Sequence, residues 1–146
     1  MLIKYNENVY PSLALVTALK IKNLDNVILK KRGNIIQSIN YQGISIPVDD
    51  LGQMLIKFRG SASKYEYVSA ADILDRNVSA ERLLEKIVFV GTSAVGLKEL
   101  LNTPFGQIFP GVEVHATVVD NLISGDFISI PDWSNGLLML LVLGSV

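Results

Sequence analysis

The stretch with the clearest chemical potential is 91–98, which reads Gly-Thr-Ser-Ala-Val-Gly-Leu-Lys. It follows an apolar run and has two glycines separated by four residues, as a phosphate-binding loop does. That loop needs Lys directly after the second glycine, but here Leu97 intervenes, so the spacing argues against nucleotide binding. What remains is a strand-to-helix turn whose free N–H groups either favour an anion or are capped by Thr92 or Ser93.

Serine hydrolysis is the second chemistry that these residues suggest. Ser93 lies at the predicted turn, and His115 is the sole histidine that could serve as its base. The nucleophile-elbow motif requires Gly two residues after the serine, where this chain has Val95. A serine hydrolase is therefore kept only as an alternative function.

Two further side chains are candidate ligand contacts. Arg59 stands beside Gly60 at a predicted strand end, where it is either a solvated charge or a guanidinium clamp for a carboxylate. His115 is either a buried neutral histidine or part of a polar pocket that also contains Thr92, Glu99 and Thr103.

The composition excludes several kinds of site. The chain has 146 residues, about one domain's length, with no Cys and a single His. Thiol nucleophiles, disulfides, Cys-zinc sites and two-His zinc motifs are therefore excluded, and we expect neither a metal nor a cofactor. With 13 Lys and Arg against 14 Asp and Glu, the net charge is -1. This balance gives no general attraction for a polyanion, so we expect no nucleic-acid partner.

Helical and strand patterns alternate along the chain. Helices are predicted at 12–22, from a capping box at 69–72, and from Gly111 to a terminating Gly125. Strands are predicted at 27–31, 35–39, 44–46, 54–58 and 87–90. The last is a continuous apolar run, which is typical of a strand buried on both faces. The fold class predicted is α/β, with a mixed, largely central β-sheet flanked by helices in a single layered domain.

The helix that begins at Gly111 has the clearest periodicity. Helical spacing places the following residues on one apolar stripe: Val112, His115, Ala116, Val119, Leu122 and Ile123. The opposite side is predicted to carry Glu113, Thr117, Asp120 and Asn121. The pattern therefore places His115 on the apolar stripe, where it is either a buried histidine or part of the polar pocket.

The C-terminal stretch 136–146 has no charged residue, and Trp133 stands just before it. A spanning helix needs about 20 apolar residues, so the stretch is short, but a Trp ahead of an uncharged run is typical of a membrane interface. We interpret 133–146 as the start of a transmembrane helix that follows a domain at 1–132. The alternative is a helix packed on the core or on a second copy of the chain.

Several motifs occur in an order that resembles the second type of CHASE domain. The early motifs are Tyr-Pro-Ser-Leu-Ala-Leu at 10–15, Ile-Pro at 46–47, Gly52 and Lys-Phe-Arg-Gly at 57–60. The later ones are 86–94, Gly-Leu at 96–97, Thr-Pro at 103–104, 110–116 and Asp-Asn-Leu at 120–122. An acidic residue, usually Asp, follows the Gly-Leu pair in that family, and this chain retains the carboxylate as Glu99. The family's domain usually begins with a further segment, so we expect 1–132 to match its C-terminal part.

The resemblance implies a sensor rather than an enzyme. Domains of this type are extracytoplasmic input domains of bacterial receptors, flanked by membrane helices and joined to adenylate or guanylate cyclase, histidine kinase or Ser/Thr kinase outputs. The implied partners are a small ligand or envelope signal, a second copy in a homodimer, and the membrane. The candidate ligand-binding residues are then Arg59, Thr92, Ser93, Glu99, Thr103 and His115. A constitutive dimerisation module without a ligand is the first alternative.

Overall fold

The computed structural model of the chain describes residues 1–33, 35–60, 64–92, 100–102, 108–131 and 133–144. Its helices are α1 (Leu13–Ile21), α2 (Ala70–Leu74), α3 (Gly111–Ser124) and α4 (Ser134–Gly144), with a short 3-10 helix at Ala80–Arg82. Its strands are β1 (Leu2–Tyr5), β2 (Asn8–Pro11), β3 (Ile28–Arg32), β4 (Ile35–Tyr41), β5 (Ile44–Pro47), β6 (Leu100–Asn102) and β7 (Ile108–Pro110).

The first predicted helix and the three strands that follow it are confirmed. The hydroxyl of Ser12 accepts a hydrogen bond from the N–H of Leu15 at 3.4 Å, as an N-terminal cap does. Strands β3, β4 and β5 form one antiparallel sheet in chain order. Gln42 and Gly43 join β4 to β5 with φ of 43° and 80°, the left-handed conformation that two-residue hairpin turns favour.

The α/β class of a single small domain is confirmed, and the strands are divided among several sheets. Within the described residues, β1 pairs with β2, β3–β5 form the second sheet, and β6 pairs with β7, all antiparallel. The sequence patterns did not predict the β1–β2 hairpin. The predicted strand at 54–58 is reduced to an isolated bridge between Leu55 and Ile128.

The core lies between the β3–β5 sheet and the packed helices α1 and α3. Its fully enclosed side chains come from α1, β4, β5 and α3, and they include Leu15, Ile39, Ile46 and Leu122. Tyr41 ties the two layers together, because its hydroxyl donates to the carbonyl oxygen of Leu122 at 2.6 Å. That carbonyl is in the last turn of α3, where backbone oxygens lack a partner within the helix.

The prediction of a buried strand at 87–90 is wrong. This run pairs with no described strand, and only Phe89 packs against the core. Ile87 and Val88 are about half exposed, and Val90 is 90% exposed. A continuous apolar run indicates a two-sided burial only where layers exist to cover both faces. Among the described residues, no such pair of layers encloses this run.

Helix α3 has the predicted extent, and Gly125 ends it with φ of 68°. The apolar stripe is one of two buried sides of this helix. Glu113, Thr117 and Asn121, on the opposite, polar side, are all buried, whereas His115 of the stripe is exposed. These three polar residues are spaced four apart and share one side of the helix. A periodic apolar stripe does not reveal that a second, polar face is also covered.

Helix α4 is apolar around its whole circumference. The side chains from Leu137 to Leu143 are between 47% and 69% exposed, so α4 does not pack on the core described here. None of the helices in the described part of the chain has the length and apolarity needed to cross a bilayer.

Candidate functional site

A cleft of about 420 Å³ lies between the start of α1, the segment 89–91 and the first turns of α3. Its lining is Leu13, Phe89, Val90, Gly91, Gly111, Val112 and His115. The cleft is mainly apolar, with the imidazole of His115 as the one ionisable side chain among these residues.

Gly91 permits the close approach that shapes this cleft. A Cβ atom placed on Gly91 would lie 2.6 Å from the Cβ of Val112, far inside van der Waals contact. The segment 89–91 therefore touches the first turn of α3 through backbone. Only glycine at position 91 allows this distance.

The structure brings together only part of the predicted site. His115 lines the cleft from α3, and Thr92, which is exposed, directly follows the lining residue Gly91. Ser93, Glu99 and Thr103 lie outside the described residues. The interpretation of His115 as a core histidine is wrong, because its side chain is exposed at the cleft.

The buried polar face of α3 is covered by an extended strap, which we define as residues 57–60 and 64–67. The N–H of Lys57 donates to Oδ1 of Asn121 at 2.9 Å, and Nδ2 of Asn121 donates to the carbonyl oxygen of Lys57 at 3.1 Å. The ring of Phe58 meets that of Phe109 edge to face, with centroids 5.4 Å apart. The pairing of Lys57 with Asn121 places the first residue of the strap near the C-terminal end of α3.

The other end of the strap is held at the start of α3. The carboxylate of Glu113 accepts from the N–H of Lys64 at 3.1 Å and from the hydroxyl of Tyr67 at 2.6 Å. Burial, together with the hydrogen bond to Glu113, raises the pKa of Tyr67 to about 12. The strap thus runs antiparallel to α3, and buried polar side chains anchor it at both ends of the helix.

Arg59 acts as a clamp for carboxylates of its own chain. Its Nε donates to Oδ2 of Asp120 at 2.7 Å and its Nη1 to Oδ2 of Asp126 at 2.6 Å. Nη2 also donates to the hydroxyl of Ser124 at 3.1 Å, and Nζ of Lys57 donates to Oδ1 of Asp126 at 2.6 Å. The hydrogen bonds from Lys57 and Arg59 hold the pKa of Asp126 below its usual value.

A second ion cluster fixes the strap to the segment before the cleft. The carboxylate of Glu66 accepts hydrogen bonds from Arg82 and, at 3.3 Å, from Nζ of Lys86. These partners hold the pKa of Glu66 below its usual value, with Arg82 having the larger effect. The strap therefore contacts α3 on one side and the residues that lead into 87–91 on the other.

The described residues contain no group of three or more His, Asp or Glu side chains that could hold a metal ion. The arrangement they do show is a cleft at the start of α3, a strap along that helix, and an ion-pair cluster at its C-terminal end. The cleft and the ion-pair cluster therefore lie at opposite ends of the same helix.

Comparison with protein-family models gives a match over residues 1–146, the whole chain, to the CHASE2 domain. The chain belongs to the CHASE2 family. This family consists of extracytoplasmic sensor domains, so the CHASE2 domain described here is a sensor module. Comparisons with curated proteins and with solved structures give no match.

Sequence reasoning missed the residues that connect the strap of this CHASE2 domain to α3. Glu113, Thr117 and Asn121 were recognised as one polar side of the helix, but not as residues that bind another segment. The signal that could have revealed them is their spacing of four, which places three hydrogen-bonding side chains in one row along the helix. Asp126 could have been noted as a carboxylate directly after the terminating Gly125.

Proposed function

We propose that this CHASE2 domain is the signal-sensing input domain of a bacterial transmembrane receptor, and that the cleft beside His115 receives the signal. The observation that carries the proposal is the position of this cleft at the first turns of α3. The opposite end of the same helix leads through Gly125 and 126–133 to α4. One helix therefore connects a binding surface with the exit of the domain.

The ligand contacts we propose are His115 and Thr92, which border the cleft. Ser93, Glu99 and Thr103 are proposed as further contacts from the chain that follows Thr92. Arg59 was also a candidate, but its guanidinium is paired with Asp120 and Asp126. We therefore assign Arg59 to the coupling between strap and helix.

Signalling requires that the ligand binds two conformations with different affinities, because equal affinity shifts no population. Occupying the cleft would change the distance between 89–91 and the start of α3. That displacement is passed along α3 and the strap to 126–133 and then to α4, which we propose to be the start of a membrane segment. The output in this proposal is a cytoplasmic cyclase or kinase.

A thermal-shift screen of the purified chain tests the proposal. The panel contains small carboxylates, sugars, phosphates and amino acids, and it is repeated with His115→Ala. A ligand at 100 times its dissociation constant stabilises the folded state by about 2.7 kcal/mol. We expect a hit that His115→Ala abolishes and that Glu7→Ala, in the exposed β1–β2 turn, leaves unchanged. A hit that His115→Ala does not weaken would contradict the proposed site.

A second candidate function is constitutive dimerisation without a ligand, which the exposed apolar run at 87–90 favours. The two functions differ in their response to dilution and to mutation. Sedimentation velocity over a dilution series would show a dimer that Val88→Lys or Val90→Lys dissociates. If the chain stays dimeric in these variants, the run at 87–90 is not its interface.

A further inference from the structure

The segment that leaves α3 is held by few contacts. We define the exit segment as residues 126–130, between Gly125 and Pro131. Within the described residues its backbone is held by the N–H of Asp126, which donates to the carbonyl oxygen of Asn121 at 3.1 Å, and by a bridge between Ile128 and Leu55. Gly125 precedes it with φ of 68°, and a Cβ on this glycine would meet no atom within 4 Å. The exit segment therefore starts at a glycine that has open space around its Cα.

A further attachment of the exit segment is apolar, since the partly buried ring of Phe127 packs against the core, and another is electrostatic. The carboxylate of Asp126 forms ion pairs with Lys57 and Arg59, each at 2.6 Å. Arg59 also forms an ion pair with Asp120 in the last turns of α3. The same guanidinium thus joins the helix to the exit segment while both are tied to the strap. All four side chains lie within two short stretches, 57–59 and 120–126.

These ion pairs are accessible to water and salt. Their side chains are between 30% and 47% exposed. Exposed pairs of this kind contribute little net stability, and dissolved ions screen them. A cluster with this exposure can therefore open without unfolding the core, which a buried hydrophobic contact could not do.

We propose that Lys57, Arg59, Asp120 and Asp126 form an ionic latch that holds the start of the exit segment against the strap and whose opening increases the local motion of that segment, and of α4 after it, relative to α3. The latch responds to ionic strength, because its attraction is screened by salt. That opening of the latch is a step in signalling rests on the proposed function. The existence of the latch does not depend on that function.

Hydrogen–deuterium exchange of the intact chain, read by mass spectrometry, tests the latch. In Asp126→Asn, which keeps the side-chain shape and removes the charge shared by both cations, we expect exchange at 125–130 to rise about threefold to tenfold. Exchange in α1 and in β3–β5 should stay unchanged. The matched control is Asp25→Asn, which removes an exposed ion pair to Lys20 at the end of α1 and should leave 125–130 unaffected.

The unmodified chain gives an independent test that does not depend on a variant folding. Raising NaCl from about 0.05 M to about 1 M should increase exchange selectively at 125–130. In Asp126→Asn the salt effect at these residues should be lost. Unchanged exchange at 125–130 in the variant and at high salt, or an equal rise throughout the chain, would overturn the latch. Because no ligand is used, failure here leaves the ligand screen of the proposed function standing.

Discussion

The side-chain amide of Asn121 pairs with the backbone of Lys57 in both directions, with an N–H donated each way at 2.9 and 3.1 Å. Asn121 is completely buried. Its amide therefore offers the strap one donor and one acceptor, as the edge of a neighbouring strand would. This pairing explains how the extended residues after Leu55 stay ordered without a strand partner for Lys57 among the described residues.

Replacing Asn121 by Leu, which has a similar volume, should lower the free energy of unfolding by about 1–3 kcal/mol, because the N–H and C=O of Lys57 lose their partners. Urea unfolding followed by circular dichroism measures this change. Asn77→Leu is the matched control, since Asn77 is exposed in the turn after α2. Equal stability of the two variants would show that the pairing contributes nothing.

Gly91→Ala should also destabilise the domain. The added Cβ would stand 2.6 Å from the Cβ of Val112, so the segment 89–91 or the start of α3 must shift, at a cost of about 1–3 kcal/mol. The loss should shrink in a Val112→Gly background, where that Cβ is absent. Gly136→Ala in α4 is the control, because no atom lies within 4 Å of its added Cβ. If the losses in unfolding free energy caused by the changes at 91 and 112 are additive, the close approach of Gly91 to Val112 is contradicted.

Tyr67 should make the domain less stable in alkali. Its pKa is raised to about 12 in the folded chain against 10 unfolded, so the folded state holds the phenol proton more tightly. Its contribution is fully present below about pH 10 and is lost as the pH rises from about 10 to 12. Ultraviolet titration of the phenols should show this late transition, and Tyr67→Phe should remove it. Tyr5→Phe, on the exposed β1 strand, should leave it in place.

Tyr41→Phe should cost about 1 kcal/mol of unfolding free energy, because the carbonyl of Leu122 loses the hydroxyl that caps the last turn of α3. Burial also raises the pKa of Tyr41, which keeps the hydroxyl protonated as a donor. Thermal unfolding of the variant is compared with that of Tyr10→Phe, whose ring is about half exposed. If Tyr41→Phe is no less stable than Tyr10→Phe, the bond between β4 and α3 is not a source of stability.

Local signals predicted the elements whose formation depends on neighbours in the chain. The Pro11-Ser12 start fixes α1, the Gln42-Gly43 turn fixes the β4–β5 register, and Gly125 ends α3. The run at 87–90 was misjudged because composition reports apolarity but not the presence of a covering layer. The β1–β2 hairpin is the exception, because its partners lie within a few positions and the sequence patterns still did not predict it.

The contacts between the strap and α3 could not be predicted from residues that are neighbours in the chain. Arg59 meets Asp120 and Asp126 across 61 and 67 residues of sequence, and no periodicity links such distant positions. The burial of Glu113 could not be predicted either, because it depends on Tyr67, which is 46 residues earlier in the chain and contacts the start of α3. His115 and Thr92, both candidate contacts in the sequence, lie at the same cleft, and their role as ligand contacts stays a prediction.

The seven consecutive apolar side chains of α4, from Leu137 to Leu143, advance by 100° each and so complete more than one turn of the helix. No direction around its axis differs in polarity from any other. Rotation of α4 about its own axis therefore replaces one apolar face by an equivalent apolar face, and the solvation of the helix changes very little. Whichever side of α4 another surface covers, it removes a similar apolar area from water.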